Sequence, residues 1–217
     1  MFVKICGITE PADAEVAVEA GADAVGLIFA PSRRRVTVEQ ARAIARVVPD
    51  GVLTVGVFRD HLADEVIDIV RDAGLDVAQL HGDETAATSR RVRAAVPLLF
   101  RAMSAADPAL AGIDEHGADV VLLDAPVPGG GVPFDWTLVG DLTSRHRVLL
   151  AGGLRPDNVA DAIAAVRPWG VDVASGVESE PGRKDPEAVR RFVAAARAAG
   201  ETTTSAHPPL TVDRNPV

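Results

Sequence analysis

The feature that most constrains this chain is an alternation. Short runs rich in β-branched and other apolar residues recur at 2–6, 23–29, 52–58, 76–81, 97–101, 119–124, 147–151 and 171–175. Most are apolar almost without interruption, as strands must be when both faces of their sheet are covered. Between them lie Ala-rich stretches of helical period at 10–20, 37–47, 61–73, 85–95, 105–116 and 156–166, and another at 185–198 follows the final run. The link between the sixth and seventh runs has the poorest helical pattern. Gly21, Gly74 and Gly117 each follow a helical stretch, where a left-handed residue ends a helix. Asp185-Pro186-Glu187 reads as an N-cap with proline at the first helical position. Eight alternating units in about 200 residues predict a single (β/α)8 TIM barrel over residues 1–200. A doubly wound open sheet is the structural rival; it usually takes fewer strands and a topological switch. Residues 201–217, ETTTSAHPPLTVDRNPV, have no periodicity and three prolines, and are expected to be a disordered tail.

Composition narrows the function. One cysteine in 217 residues excludes an internal disulfide framework and a multi-cysteine zinc site, and fits a reducing compartment. No 18-residue apolar stretch and no basic-then-apolar start is present, so the expected location is the cytoplasm, with no membrane partner. The net charge of −9 leaves no basic face for nucleic acid. An anionic ligand therefore needs backbone N–H groups or a few placed cations. Of 22 basic residues only Lys4 and Lys184 are lysines, either positions where arginine would not serve or chance survivors of a codon bias.

In a barrel of this class the chemistry stands where the strands end. The first strand ends at Cys6, in KICGIT. Alternation puts Lys4 and Cys6 on the inward face and Val3 and Ile5 toward the helices. A lone cysteine in an apolar strand is ordinarily an inert small hydrophobe. Here Gly7 permits close approach, and the Lys4 charge favours the thiolate, a usable base or nucleophile. The sixth strand ends at Asp124, in VVLLDAPVPGGG. It caps a turn or, set in apolar surroundings, acts as a general acid with a raised pKa. The loop that follows, 126–133, reads as a lid or as a turn-rich connection. His81, in AQLHGDE, ends the fourth strand with Gln79 on its face, as a satisfied polar group or a donor to substrate. No second His or Cys has metal-ligand spacing, so no metal is expected.

Arg33, Arg34 and Arg35 follow the second strand, and one of them is a candidate to hold a carboxylate through two parallel hydrogen bonds. Gly152 and Gly153, in LLAGGLRPDNV, and Ser175 and Gly176, in DVASGVE, form two small-residue loops after the seventh and eighth strands. That is the recurrent phosphate seat of such barrels. Asp172 points inward from the eighth strand. The eighth strand neighbours the first in a closed barrel, so Asp172 is expected to pair with Lys4.

With these residues in hand, the chain resembles the phosphoribosylanthranilate isomerase family of tryptophan biosynthesis from residue 3 to about 198. The resemblance rests on KICGIT, GADAVGLIF, VGVF, QLHGDE, LLDA, FDW, AGGLRPDNV and VDVASGVESEPGRKD. It implies an Amadori rearrangement with Cys6 as general base and Asp124 as general acid. It further implies Arg34 on the anthranilate carboxylate, His81 and Asp172 as other substrate-side residues, and Gly152, Gly153, Ser175 and Gly176 on the phosphate. The substrate is a small phosphosugar, no cofactor is implied, and the protein works as a monomer or homodimer. Two departures stand out. Gly130 replaces the family's Ser or Thr before Phe134-Asp135-Trp136, and Ala174 stands where serine is common. The alternatives are a related phosphosugar barrel isomerase of histidine biosynthesis, a bifunctional form, and a non-catalytic phosphosugar-binding barrel.

Overall fold

The structure is a computed structural model that describes residues 1–124, 142–201, 207, 208, 210 and 212. The proposed lid at 126–133, Gly130 and most of the predicted tail lie outside the described residues. Eight parallel strands close into a barrel in sequence order. They are β1 (Phe2–Cys6), β2 (Ala24–Ile28), β3 (Leu53–Phe58), β4 (Val77–Leu80), β5 (Leu98–Ser104), β6 (Val120–Asp124), β7 (Val148–Ala151) and β8 (Gly170–Val173). Closure is made where β1 pairs with β8, with Lys4 opposite Asp172. Helices Pro11–Glu19, Val38–Ala45, Ala63–Ala73, Ala86–Arg93, Val159–Val166 and Pro186–Glu201 cover the outside. A short antiparallel hairpin, β9 (Glu178–Glu180) with β10 (Arg183–Lys184), stands beyond β8.

Strand alternation sorts the core into two layers. Val3, Ile5, Val25, Leu27, Leu80, Leu99 and Leu123 face the helices. Cys6, Leu53, Val55, Val57, Val77, Phe100, Leu122 and Leu149 fill the barrel interior. At the N-terminal end Phe2 stacks on Trp169 with ring centroids 4.4 Å apart, and Leu210 and Val212 pack against the same inner cluster.

Helix ends follow local chemistry. Thr37 and Gln40 form a capping box, and Asp185 accepts from the N–H groups of Glu187 and Ala188 before Pro186 opens the last helix. The stretch expected as helix over 105–116 is a 3-10 helix over Pro108–His116. Pro108 withholds an N–H, and at Gly112 the backbone leaves helical values (φ −97, ψ 16). The helix after β7 begins at Val159, three residues past Pro156, so that proline sits in a turn rather than at the first helical position.

A repeated device secures the N-terminal ends of alternate strands. Gly21-Ala22-Asp23, Gly74-Leu75-Asp76 and Gly117-Ala118-Asp119 each precede a strand, and each glycine has positive φ (90, 68 and 64). Each aspartate reaches back to the start of the preceding strand. Asp23 Oδ2 accepts from the Val3 N–H at 2.7 Å, Asp76 Oδ2 from Thr54 at 2.8 Å and Asp119 Oδ2 from Leu99 at 2.8 Å. The aspartate N–H groups return the bond to the carbonyls of Val3, Thr54 and Leu99. Arg197 pairs with Asp23 and Arg93 with Asp119, tying outer helices to these staples. Asp76 is buried and also accepts from the Thr54 hydroxyl. Asp76→Ala leaves that N–H and hydroxyl without their acceptor and is expected to destabilise the protein by about 2–3 kcal/mol in chemical denaturation, with Asp76→Asn milder.

Candidate active site

The C-terminal ends of the strands bring four of the candidate residues into one electrostatic cluster. Lys4 is fully buried, and its Nζ donates to Asp172 Oδ1 at 3.0 Å, the pairing expected across the β1–β8 seam. Burial works against the Lys4 charge, but the interactions led by the Asp172 carboxylate outweigh it, so Lys4 is held charged, above its ordinary pKa.

Cys6 is buried, at 6% exposure. Its room comes from Gly26 on the neighbouring strand, where an added Cβ would lie 2.7 Å from Sγ and 3.1 Å from Lys4 Nζ. Here the expectation of a Lys4-favoured thiolate is corrected. Burial raises the Cys6 pKa, Lys4 opposes, and Asp172 adds to the rise, leaving the thiol above its ordinary value. In the resting protein Cys6 is therefore a thiol with a cation beside it, not a standing thiolate.

Asp124 stands at the end of β6 with its side chain about half exposed (49%). Desolvation raises its pKa, with His81 opposing and Asp172 assisting, in the direction a general acid needs. His81 Nε2 lies 3.9 Å from Asp124 Oδ2. Burial lowers the His81 pKa and Lys4 adds to this, while Asp124 pulls the other way, so His81 is held neutral near pH 7. A cavity of about 490 Å³ opens at this end, walled by His81, Asp124, Ser32, Arg101 and Met103. Cys6 and the glycine loops lie outside that cavity's lining.

Of the three adjacent arginines only Arg34 turns inward; Arg33 and Arg35 are exposed. Arg34 lies over Gly7, where a Cβ would meet its Cδ at 2.6 Å, and its Nε and Nη2 each donate to Glu178 at 2.7 Å.

The two glycine loops are packed into each other. Gly152 and Gly153 both have positive φ (97 and 59). A Cβ at Gly176 would lie 1.8 Å from the Leu154 carbonyl oxygen, so only glycine fits there. Asn158 accepts from the Arg155 N–H at 2.7 Å and donates to the Gly153 carbonyl at 3.1 Å, fixing the first loop. Ser175 opens a 3-10 turn over Ser175–Val177. Among the described residues no group of three or more His, Cys, Asp or Glu side chains is arranged to hold a metal, and no helix is long and apolar enough to cross a membrane.

Sequence reasoning missed several supports of this site. Gly26, inside GADAVGLIF, carries no local sign of that role. Glu84, inside the quoted QLHGDE motif, accepts from the N–H groups of Asp60 and Gly82 and pairs with buried Arg101 at 3.0 Å, which pins the turn carrying His81. Glu178, inside the DVASGVE motif, gave no signal of its pairing with Arg34. Lys184 did give a signal, as one of two lysines: both are buried, each against a carboxylate.

The chain has one cysteine and no tyrosine, so thiolate absorbance can be read without interference. It is expected to appear above the ordinary cysteine range of about 8.5. In Lys4→Met it moves to still higher pH, because the opposing cation is gone. A midpoint below the ordinary value in the wild type would contradict the balance drawn here.

The family model described as N-(5'-phosphoribosyl)anthranilate (PRA) isomerase matches residues 3–195. The N-(5'-phosphoribosyl)anthranilate isomerase of Desulforudis audaxviator is 47% identical, with 91% of this chain and 98% of that protein covered. That of Myxococcus xanthus is 48% identical, covering 90% of this chain and 95% of that protein. Among solved structures, the Thermotoga maritima phosphoribosyl anthranilate isomerase superposes with TM-score 0.82 at 38% identity, covering 91% of this chain and 99% of that one. A phosphoribosyl anthranilate isomerase in complex with reduced 1-(o-carboxyphenylamino)-1-deoxyribulose 5-phosphate superposes with TM-score 0.81 at 37% identity. A closed eight-stranded barrel, the paired glycine loops and near full-length similarity agree: this chain belongs to the N-(5'-phosphoribosyl)anthranilate isomerase family.

Proposed function

We propose that this chain catalyses the isomerisation for which its family is named. The reaction is the Amadori rearrangement of N-(5'-phosphoribosyl)anthranilate to 1-(2-carboxyphenylamino)-1-deoxyribulose 5-phosphate in tryptophan biosynthesis. In this reading Asp124 is the general acid and Cys6 the general base. The observation that carries it is the pairing of two ionisable groups on non-adjacent strands: a thiol beside buried Lys4 on β1, and a carboxyl of raised pKa on β6.

The chemistry runs as follows. Asp124 gives its proton to the ribose ring oxygen, the bond from that oxygen to the first carbon breaks, and the anthranilate nitrogen supplies the electron pair to form a Schiff base. Cys6, as thiolate, removes the proton on the second carbon. The resulting enolamine takes a proton at the first carbon and loses one from the hydroxyl on the second, giving the ketone. The cationic nitrogen is the electron sink, so the steps need no added group. Gly152, Gly153, Ser175 and Gly176 hold the phosphate through backbone N–H groups, Arg34 holds the carboxylate, and neutral His81 and Asp172 face the sugar. The substrate is a small phosphosugar and the single thiol stays reduced, which fits work in the cytoplasm. A Thermotoga maritima relative is described as dimeric, and a monomer or homodimer is the form expected here.

Proton bookkeeping gives the pH dependence. The competent enzyme has Asp124 protonated and Cys6 ionised, although the carboxyl is the stronger acid. It is therefore a minority species whose share is constant between the two pKa values and falls outside them. Activity rises with pH through the Asp124 pKa and falls again above the Cys6 pKa. Lifting Asp124 enlarges the competent share; lifting Cys6 shrinks it.

The deciding assay follows loss of the substrate's anthranilate fluorescence with no metal or cofactor added. Cys6→Ser and Asp124→Asn are each expected to cut turnover at least about a hundredfold and to leave substrate affinity within a few fold. Near-normal turnover in either variant breaks the assignment. In the kcat/KM profile the wild type is expected to be bell-shaped, with its alkaline limb displaced upward and its plateau lowered in Lys4→Met.

A further inference from the structure

Glu178 is a buried carboxylate that the mechanism above does not use. Its side chain is only 4% exposed, and it is shared between two cations, Arg34 and Lys184. Arg34 donates from Nε to Oε1 and from Nη2 to Oε2, both at 2.7 Å. Lys184 Nζ donates to Oε1 at 2.9 Å and to the Ala174 carbonyl at 3.0 Å, the backbone immediately before Ser175. The Lys184 N–H is in turn held by Asp13 at 3.0 Å. Burial alone would push the Glu178 carboxyl up; Arg34 and Lys184 outweigh this and hold it ionised, below its ordinary value.

The manner of the grip matters. A guanidinium has a side edge, made by Nε and one Nη, and an end edge, made by the two Nη groups. Glu178 occupies the side edge. Arg34 makes no other side-chain hydrogen bond among the described residues, so the end edge remains for a second carboxylate. Lys184 balances the Glu178 charge, and the trio keeps one net positive charge. The same lysine joins it to the loop that carries Ser175 and Gly176.

We infer that Glu178 is a positioning residue for recognition of the substrate's aromatic carboxylate: by clamping the side edge of Arg34 it aims the end edge at that group and, through Lys184, sets its distance from the phosphate loop. This rests on the functional reading above, and it assigns to Glu178 the selection of a carboxylated aniline over a plain one.

The test compares two ligands by equilibrium binding: reduced 1-(o-carboxyphenylamino)-1-deoxyribulose 5-phosphate and its counterpart without the carboxyl group. Glu178→Gln keeps the shape but loses the charge. The variant is expected to bind the carboxylated ligand roughly tenfold more weakly while its affinity for the other stays within about threefold. In turnover the same variant raises KM far more than it lowers kcat. Glu178→Asp, whose shorter reach cannot span both Arg34 nitrogens, gives the same split and serves if the Gln variant does not fold. In an Arg34→Met background, Glu178→Gln has no further effect on the preference. Equal weakening of both ligands, no weakening of either, or a further loss of preference without Arg34 overturns the inference and makes Glu178 a scaffold residue. Wild-type protein that binds neither ligand overturns the functional reading itself, and this inference with it.

Discussion

The barrel closes on a buried ion pair. Lys4 and Asp172 face each other across the only seam joining the first strand to the last, and the ammonium is wholly removed from water. Breaking such a pair by removing one partner leaves an uncompensated buried charge and typically costs about 3–5 kcal/mol. A hydrophobic pair would close the seam without that liability. What it would not do is set a permanent cation under Cys6. The pair sits where the first and last strands meet and also sets the electrostatics around Cys6, and Gly26 clears the space in which the thiol and the ammonium meet. Fold closure and chemistry are one constraint here, which is why neither Lys4 nor Asp172 has an easy substitute.

Around that point the molecule divides its labour along the barrel axis. The ionisable groups Cys6, His81 and Asp124, the paired glycine loops and the Arg34–Glu178–Lys184 trio gather where the strands end, and the aspartate staples gather where they begin. This matches the general separation in such barrels between a catalytic face and a stabilising one. The rim where the strands end is tightly packed at the glycine loops, because Gly176 sits against the Leu154 carbonyl and Asn158 ties down the loop after β7.

Much of this was legible in the sequence because it follows from periodicity. Eight apolar runs gave eight strands, and strand alternation alone placed Lys4 and Cys6 inside and predicted the partner of Lys4. What escaped depends on contacts between residues far apart in the chain. Glu178 meets Arg34 across 144 positions, and no local pattern announces it. The balance at Cys6 escaped for another reason: a neighbouring cation is visible in KICGIT, but the depth of burial that outweighs it is not. The 3-10 turn at 108–116 was foreshadowed by Pro108 and Gly112, although the apolar spacing there reads as an α-helix. The reach of each aspartate to the strand behind it was likewise invisible, although a Gly-x-Asp spelling stands in plain view just before the second, fourth and sixth strands.

Those staples have a practical corollary for anyone re-engineering the enzyme. Effects of substitutions more than about 10 Å apart with no shared partners tend to add. The stapled rim lies at the opposite end of the strands from His81 and Asp124, so thermal robustness can be raised or lowered there while activity is adjusted independently at the other rim. Asp76, buried and holding both the N–H and the hydroxyl of Thr54, is the natural reference position; Asp23 and Asp119 are each bridged to an arginine from an outer helix, which reinforces them further.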